Sequence, residues 1–199
     1  MAITINGSTN TLTGVAVGGL PDGIVDTDML AANAVTVAKA IGSVKGITMA
    51  DQWRITSNFS YGNATTDITT NWERTDSDSP GLIGTGMTQS SGIFTFPETG
   101  IYHISFSASH THTSAAANHN SYIYATVNNT NWSDASISIG RNPSAGAYDV
   151  TYSQFIFDVT DTSTHKVKFA VYSSGTSAVL YGHSNRNAPT AVFLRLGDT

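Results

Sequence analysis

Hydrophobic and polar residues alternate with a period of two along most of the last three quarters of this chain. Phe94 and Phe96 share one face; after Pro97-Glu98-Thr99-Gly100, Tyr102, Ile104, Phe106 and Ala108 share a face, and His103, Ser105, Ser107 and Ser109 share the other. Alternation of this length predicts half-buried antiparallel strands joined by a turn. Ser153, Phe155, Phe157 and Val159 alternate with Tyr152, Gln154, Ile156 and Asp158, and the aromatics of the first set mark the core side. Val167, Phe169 and Val171 repeat the pattern. Strands are predicted near 52–60, 67–74, 92–97, 101–110, 120–128, 134–140, 147–160, 165–174, 177–183 and 190–196. Trp53 and Trp72 fall inside the first two and are expected in the core.

The first 50 residues follow another pattern. Gly14–Gly23 is rich in Gly, Ala and Val and free of aromatics, with turn signals at Asn6-Gly7 and Asp22-Gly23. Leu30, Ala34, Val37 and Ile41 then recur at helical spacing, with Asp26 or Thr27 able to cap the start and Gly42 the end. A helix this short with so narrow a stripe is marginal alone. It gains stability by packing around an axis with other copies, or by lying on the rest of its own chain. The predicted organisation is therefore an extended, short-helical stem over residues 1–50 and an all-β domain over 51–199.

Composition sharpens this picture. Charged residues make up only 12% of the 199, roughly half the usual share. Thr, Ser and Asn fill the gap at about a third of the chain. Thr suits strands, while Ser and Asn suit turns. With few charges to keep strand edges apart, a closed sandwich or an oligomer is expected. A net charge of -5 with scattered signs provides no basic stripe for nucleic acid. No run approaches a membrane span. Zero cysteines, and an N-terminus without a basic region followed by an apolar stretch, fit synthesis in a reducing cytoplasm.

The run Gly92-Ile93-Phe94-Thr95-Phe96-Pro97-Glu98-Thr99-Gly100-Ile101-Tyr102 resembles the signature hairpin of the C1q/TNF-like jelly roll. With Trp72-Glu73-Arg74 and Ile83–Thr88 upstream, it is similar to the version carried by tailed-bacteriophage structural proteins. Ala191–Gly197 matches the last strand of that module in position and character. Gly18–Thr36 resembles stem segments that recur in phage tail fibres. The resemblance implies an antiparallel jelly-roll sandwich that forms homotrimers, attached to other virion proteins of capsid or tail through residues 1–50. It implies a tail fibre, head fibre or capsid-decorating cement protein, made in the bacterial host cytoplasm and located in the virion. Its roles would be host attachment, through contact with a surface glycan, or capsid stabilisation. The alternative is a lectin-like carbohydrate-binding module, calcium-dependent or metal-free, outside any virion.

Candidate chemistry is sparse. His110 and His112 stand two apart, so on a strand both imidazoles face one way. Around a three-fold axis such pairs would offer six nitrogens to a metal ion, and phage fibre tips of this resemblance use His-x-His in that way. The plainer expectation is two exposed loop histidines, with His119 close by in sequence. Without that metal no cofactor is implied. Three polar loops contain the residues expected to touch a ligand: Asn131, Trp132 and Asp134; Arg141 and Tyr148; and Arg186. A ring beside amides, carboxylate and guanidinium suits sugar or protein recognition, although Trp132 packed against the sandwich rim explains the same residues. No Gly-x-Ser-x-Gly elbow and no phosphate-binding glycine loop is present. Asp76 and Asp78 form the only carboxylate pair worth weighing for glycosidase work, and loop solvation explains them better. A non-enzymatic protein is expected.

Overall fold

The computed structural model describes residues 4–6, 8, 11–13, 46–78, 81–113 and 117–199. The chain divides into two compact units, Met1–Val44 and Lys45–Thr199. In the first unit β1 (Thr4–Asn6) pairs antiparallel with β2 (Thr11–Thr13), Ile5 opposite Leu12. The helix expected between Asp26 and Gly42 lies outside the described residues.

The second unit is an antiparallel two-sheet sandwich, and no helix occurs among the described residues. Its strands are β3 (Met49–Ile55), β4 (Phe59–Tyr61), β5 (Thr66–Asp67), β6 (Trp72–Arg74), β7 (Thr88–Ser90), β8 (Ile93–Thr95) and β9 (Gly100–His112), followed by β10 (Asn118–Thr126), β11 (Ser133–Arg141), β12 (Tyr148–Val159), β13 (Lys166–Ser173), β14 (Ala178–Leu180) and β15 (Thr190–Gly197). One sheet runs β12–β9–β15–β3–β6, with β14 and β4 continuing from the far end of β9. The other runs β11–β10–β13–β8–β7, with β5 beside β13. The chain crosses between sheets after β4, β5, β6, β8, β9, β11, β12 and β13, so neither sheet forms by local hairpins alone. This is a jelly-roll sandwich.

Two predicted strands are broken. The stretch 52–60 divides into β3 and β4 because the chain turns at Thr56–Asn58, where Asn58 Oδ1 accepts from the Gly182 amide at 3.0 Å. The stretch 67–74 divides at Ile68–Asn71: Ile68 is buried, its carbonyl accepts from Trp72 Nε1 at 2.8 Å, and Asn71 has φ 66°. β7 was not predicted. It joins β8 through Ser91-Gly92, both at positive φ (49° and 79°), the backbone of a two-residue type I′ hairpin.

The strand faces are those predicted. Tyr102, Ile104, Phe106 and Ala108 are buried, as are Phe157 and Val159, while Tyr152 and Ile156 are exposed. Trp53 and Trp72 are in the core. The turn before β9 owes its glycine to crowding. At Gly100 (φ 145°) a Cβ would come within 2.5 Å of Arg195 Nε and of the Gly197 carbonyl. Arg195 is tucked beneath this turn, donating to the Thr99 carbonyl at 2.8 Å, and the Tyr102 hydroxyl donates to the Glu98 carbonyl at 2.8 Å.

Candidate assembly surface and a buried histidine cluster

β12 is the last strand of its sheet, bonded to β9 on one side. Its other side meets β11, where the Tyr152 amide donates to Ser138 Oγ at 3.1 Å. Because side chains alternate, the outward set of β12 is Tyr148, Val150, Tyr152, Gln154, Ile156 and Asp158. Tyr148, Val150, Tyr152 and Ile156 are 62, 61, 53 and 54% exposed. On β11, round the corner, Ile137 and Ile139 are exposed as well. The result is an apolar strip along one edge of the sandwich.

The sheet face that continues from this strip is almost free of charge. The outward positions of β9 are Ile101, His103, Ser105, Ser107, Ser109 and Thr111, and those of β15 include Val192, Leu194 and Leu196. None is Lys, Arg, Asp or Glu; Asp158 at the end of β12 is the exception among these three strands. Sheet faces that stay in water are normally polar and charged, and edge strands are normally defended by charge. An exposed apolar edge beside an uncharged face marks an interaction surface. The sequence pattern exposed Tyr152 and Ile156; Ile137 and Ile139 are exposed on the other sheet, on the side of β11 away from Ser138 and Gly140, which face β12.

Behind this edge lies the histidine cluster. His110, His112 and His119 are all buried, which overturns the expectation of exposed loop histidines: β9 runs on to His112, beyond its predicted end at 110, and carries both rings into the sandwich. His110 and His119 stack at 5.1 Å with an 8° interplanar angle, and His112 lies 6.0 Å from His119. The Tyr61 hydroxyl sits between the Nδ1 atoms of His110 (2.6 Å) and His119 (3.0 Å). His110 Nε2 shares a hydrogen bond with Thr151 Oγ1 at 2.7 Å, and the Ser177 amide donates to His112 Nε2 at 3.3 Å.

One hydroxyl proton cannot serve two acceptors, so one of the two Nδ1 atoms carries a proton and donates to Tyr61. Both imidazoles are held neutral. Burial pulls His110 down to about 3, with His119 adding to the effect. Burial also lowers His119, against the opposing pull of Asp149 and with a further push from His112. Burial and the Asp149 charge push the Tyr61 phenol far above its ordinary range, so it stays protonated. His119 Nε2 and Asp149 Oδ2 are buried with no hydrogen-bond partner among the described residues.

Both ring nitrogens of His110 are engaged within its own chain, and no group of three His, Asp or Glu side chains among the described residues has metal-binding geometry. A metal shared between copies would need the ring at the surface, where His110 does not lie.

The six residues expected to touch a ligand do not converge. Asn131 is exposed, its amide donating to Asn128 Oδ1 at 2.8 Å; Asp134 is exposed at the start of β11. Trp132 is half-buried beneath Lys168, whose Nζ lies 4.8 Å from the ring centroid, so it packs on the rim. Arg141 ends β11, roughly 20 Å or more along the strand from Asp134 at about 3.3 Å per residue. Tyr148 opens β12 and meets Tyr181 edge-on at 5.7 Å. Arg186 is exposed on the rim of a polar cleft with Asp78 and Arg54. Asp76 is tied to Arg54 in an ion pair, which leaves it poorly placed for acid–base work with Asp78.

No protein-family model matches the chain, and no curated protein matches it in sequence. Solved structures do match. Murine APRIL at pH 5.0 aligns with 74% of this chain and 98% of its own, at 13% identity and a TM-score of 0.55. The Eiger TNF from S. frugiperda aligns with 77% and 95%, at 12% identity and 0.58. PRD1 vertex protein P5 aligns more loosely, with 75% and 97% at 16% identity and 0.43. The APRIL and Eiger likenesses establish the fold of the second unit as a TNF-like jelly roll.

Proposed function

We propose that this chain is a homotrimeric, non-enzymatic structural appendage of a tailed-phage virion. In this reading residues 1–50 fix it to a capsid or tail protein, and the jelly roll is a knob for host-surface adhesion or capsid stabilisation. The observation that carries the self-association is the strip of Tyr148, Val150, Tyr152 and Ile156 beside a sheet face with almost no charge. The strip and the uncharged outward positions of β9 and β15 are continuous on one face of one sheet. If this face on one copy packs on a different surface of the next, the contact is head-to-tail and closes into a ring when the rotation permits. Three copies is the number implied by the C1q/TNF-like signature. The virion assignment is supported by the phage-type wording around Trp72–Arg74, Ile83–Thr88 and Gly18–Thr36. Adhesion from such a knob works by avidity, since several weak sites on one particle multiply modest affinities.

The test is particle association. A phage lysate containing the full chain is fractionated on a density gradient, and antibody to the knob is used to label the particles. The chain is expected in the particle band, with gold at a fixed position on the virion. Recovery of the chain only in the soluble fraction overturns the virion reading.

A further inference from the structure

At the other side of the same sheet, three strands from β12 in the order β12–β9–β15–β3, a cleft of about 400 Å³ opens over β3. Its floor is rigid. Arg54 is 2% exposed; its Nε and Nη2 donate to Glu73 Oε2 at 3.0 and 2.8 Å, Nη2 also to Asp76, and Nη1 to Ser77 Oγ at 3.2 Å. The Gln52 amide nitrogen donates to Thr190 Oγ1 at 3.2 Å, which fixes the carboxamide and leaves its Oε1 as an acceptor. Thr75 donates to Asn187 Oδ1 at 3.0 Å, which leaves the Asn187 amide nitrogen as a donor. Arg186 and Asp78 contribute one charge of each sign to the lining.

We propose that this cleft binds a short neutral oligosaccharide. The inference deepens the adhesive part of the function proposed above and rests on it.

Four features select that chemistry. Among the described residues the lining is polar, with no aromatic or aliphatic side chain, which offers an apolar ligand little to bury against. Fixed acceptors and donors lie side by side on the floor, and sugar hydroxyls, which both donate and accept, complement such a set. The charges are balanced or slightly negative, since Arg54 is offset by Glu73 and Asp76, and Arg186 by Asp78. A phosphate or polyanionic ligand would gain little here, and of the nearby carboxylates Glu73 and Asp76 are committed to Arg54, which leaves Asp78 as a single carboxylate for a hard cation. The volume is at the small end of ligand pockets, suited to one or two sugar rings. Because Gln52 and Asn187 are held before any ligand arrives, little side-chain entropy is lost on binding.

Saturation-transfer NMR on the full chain tests this directly, with glucose, galactose, N-acetylglucosamine and their β-linked disaccharides as probes and sialyllactose and glucose 6-phosphate as charged controls. At least one neutral sugar is expected to bind, with Gln52→Ala and Asn187→Ala each weakening it tenfold or more at unchanged solution mass and melting temperature. Binding of none of the neutral sugars overturns the proposal, as does preference for the charged controls or indifference to both substitutions. A trimeric mass without sugar binding discards the cleft and leaves the assembly reading. Sugar binding by a monomer discards assembly and leaves the cleft.

Discussion

The two ends of the sandwich core are built on opposite principles. At one end Phe94 is ringed by Trp53, Trp72, Phe169 and Phe193 at centroid distances of 5.4, 5.1, 5.4 and 5.2 Å, mostly edge-to-face. That end is held mainly by apolar burial and shape; its indole nitrogens donate to the Ile68 carbonyl and to Asp51, a buried carboxylate that also pairs with Arg74 and accepts from the Met87 amide. At the other end Tyr61, His110, His119, Thr151, Ser121 and Ser153 fill the same interior with a hydrogen-bonded network. Ser153 Oγ also donates to the Ser121 carbonyl at 3.0 Å, stitching β12 to β10 across the sheets. The aromatic end is vulnerable to truncation and the histidine end to acid, and the latter lies directly behind the strand that carries the proposed assembly strip.

The largest expected effect comes from breaking the aromatic end. Phe94→Ala should cost about 3–5 kcal/mol, since the cavity it leaves is walled by large rings that cannot collapse into it. Urea unfolding at fixed protein concentration measures this, and a cost below about 1 kcal/mol would deny that end its role.

Acidification should act on the other end. His110 has an ordinary value of 6.5 and is held near 3 in the fold. Its contribution is therefore complete above 6.5 and is lost as pH falls from 6.5 towards 3, because the unfolded chain takes up a proton that the folded chain refuses. The slope is about 1.4 kcal/mol per pH unit for that one histidine. Denaturant titrations at pH 7, 6, 5 and 4 read it, and His110→Gln should flatten the curve.

A smaller loss, about 1–3 kcal/mol, is expected for Tyr61→Phe, which removes the hydroxyl shared by two buried imidazoles. It should alter the acid dependence, whereas Phe94→Ala should leave that dependence intact. Smallest of all, Ile139→Thr on the surface should move stability by no more than about 0.5 kcal/mol. That substitution separates residues that matter to the fold from those that matter to assembly.

Much of the aromatic end was legible in the sequence, and little of the histidine end was. Alternation placed Phe94, Phe106, Phe169 and the two tryptophans inward, because a half-buried strand shows its faces in its own residues. His110 and His112 continue the inward set of Tyr102, Ile104, Phe106 and Ala108, but the strand was expected to end at 110 and their polarity outweighed that signal. A polar side chain near a strand end reads as solvent-facing, and only β4, β10 and β12 converging on β9 supply the Tyr61 and Thr151 that make burial tolerable. The same limit applies to the surface sites. Asn131, Trp132 and Asp134 were read as one loop and Arg141 and Tyr148 as another, and the length of β11 separates them: the first three lie at or just before its start and Arg141 at its end. Arg186 shares a cleft instead with Gln52 and Arg54, residues more than a hundred positions away in the chain, and no local pattern reports that meeting. Even β7 escaped notice, its three residues being too short to show a period.

The central claim is that the uncharged face and the β12 edge are covered by further copies of the same chain. Light scattering on the purified full chain, with Val150→Asp as a companion variant, tests it most directly. The account predicts about 63 kDa for the natural chain, three times 20.9 kDa, and a lower mass for Val150→Asp at unchanged secondary structure. A natural chain that remains at 20.9 kDa at every concentration measured would contradict it.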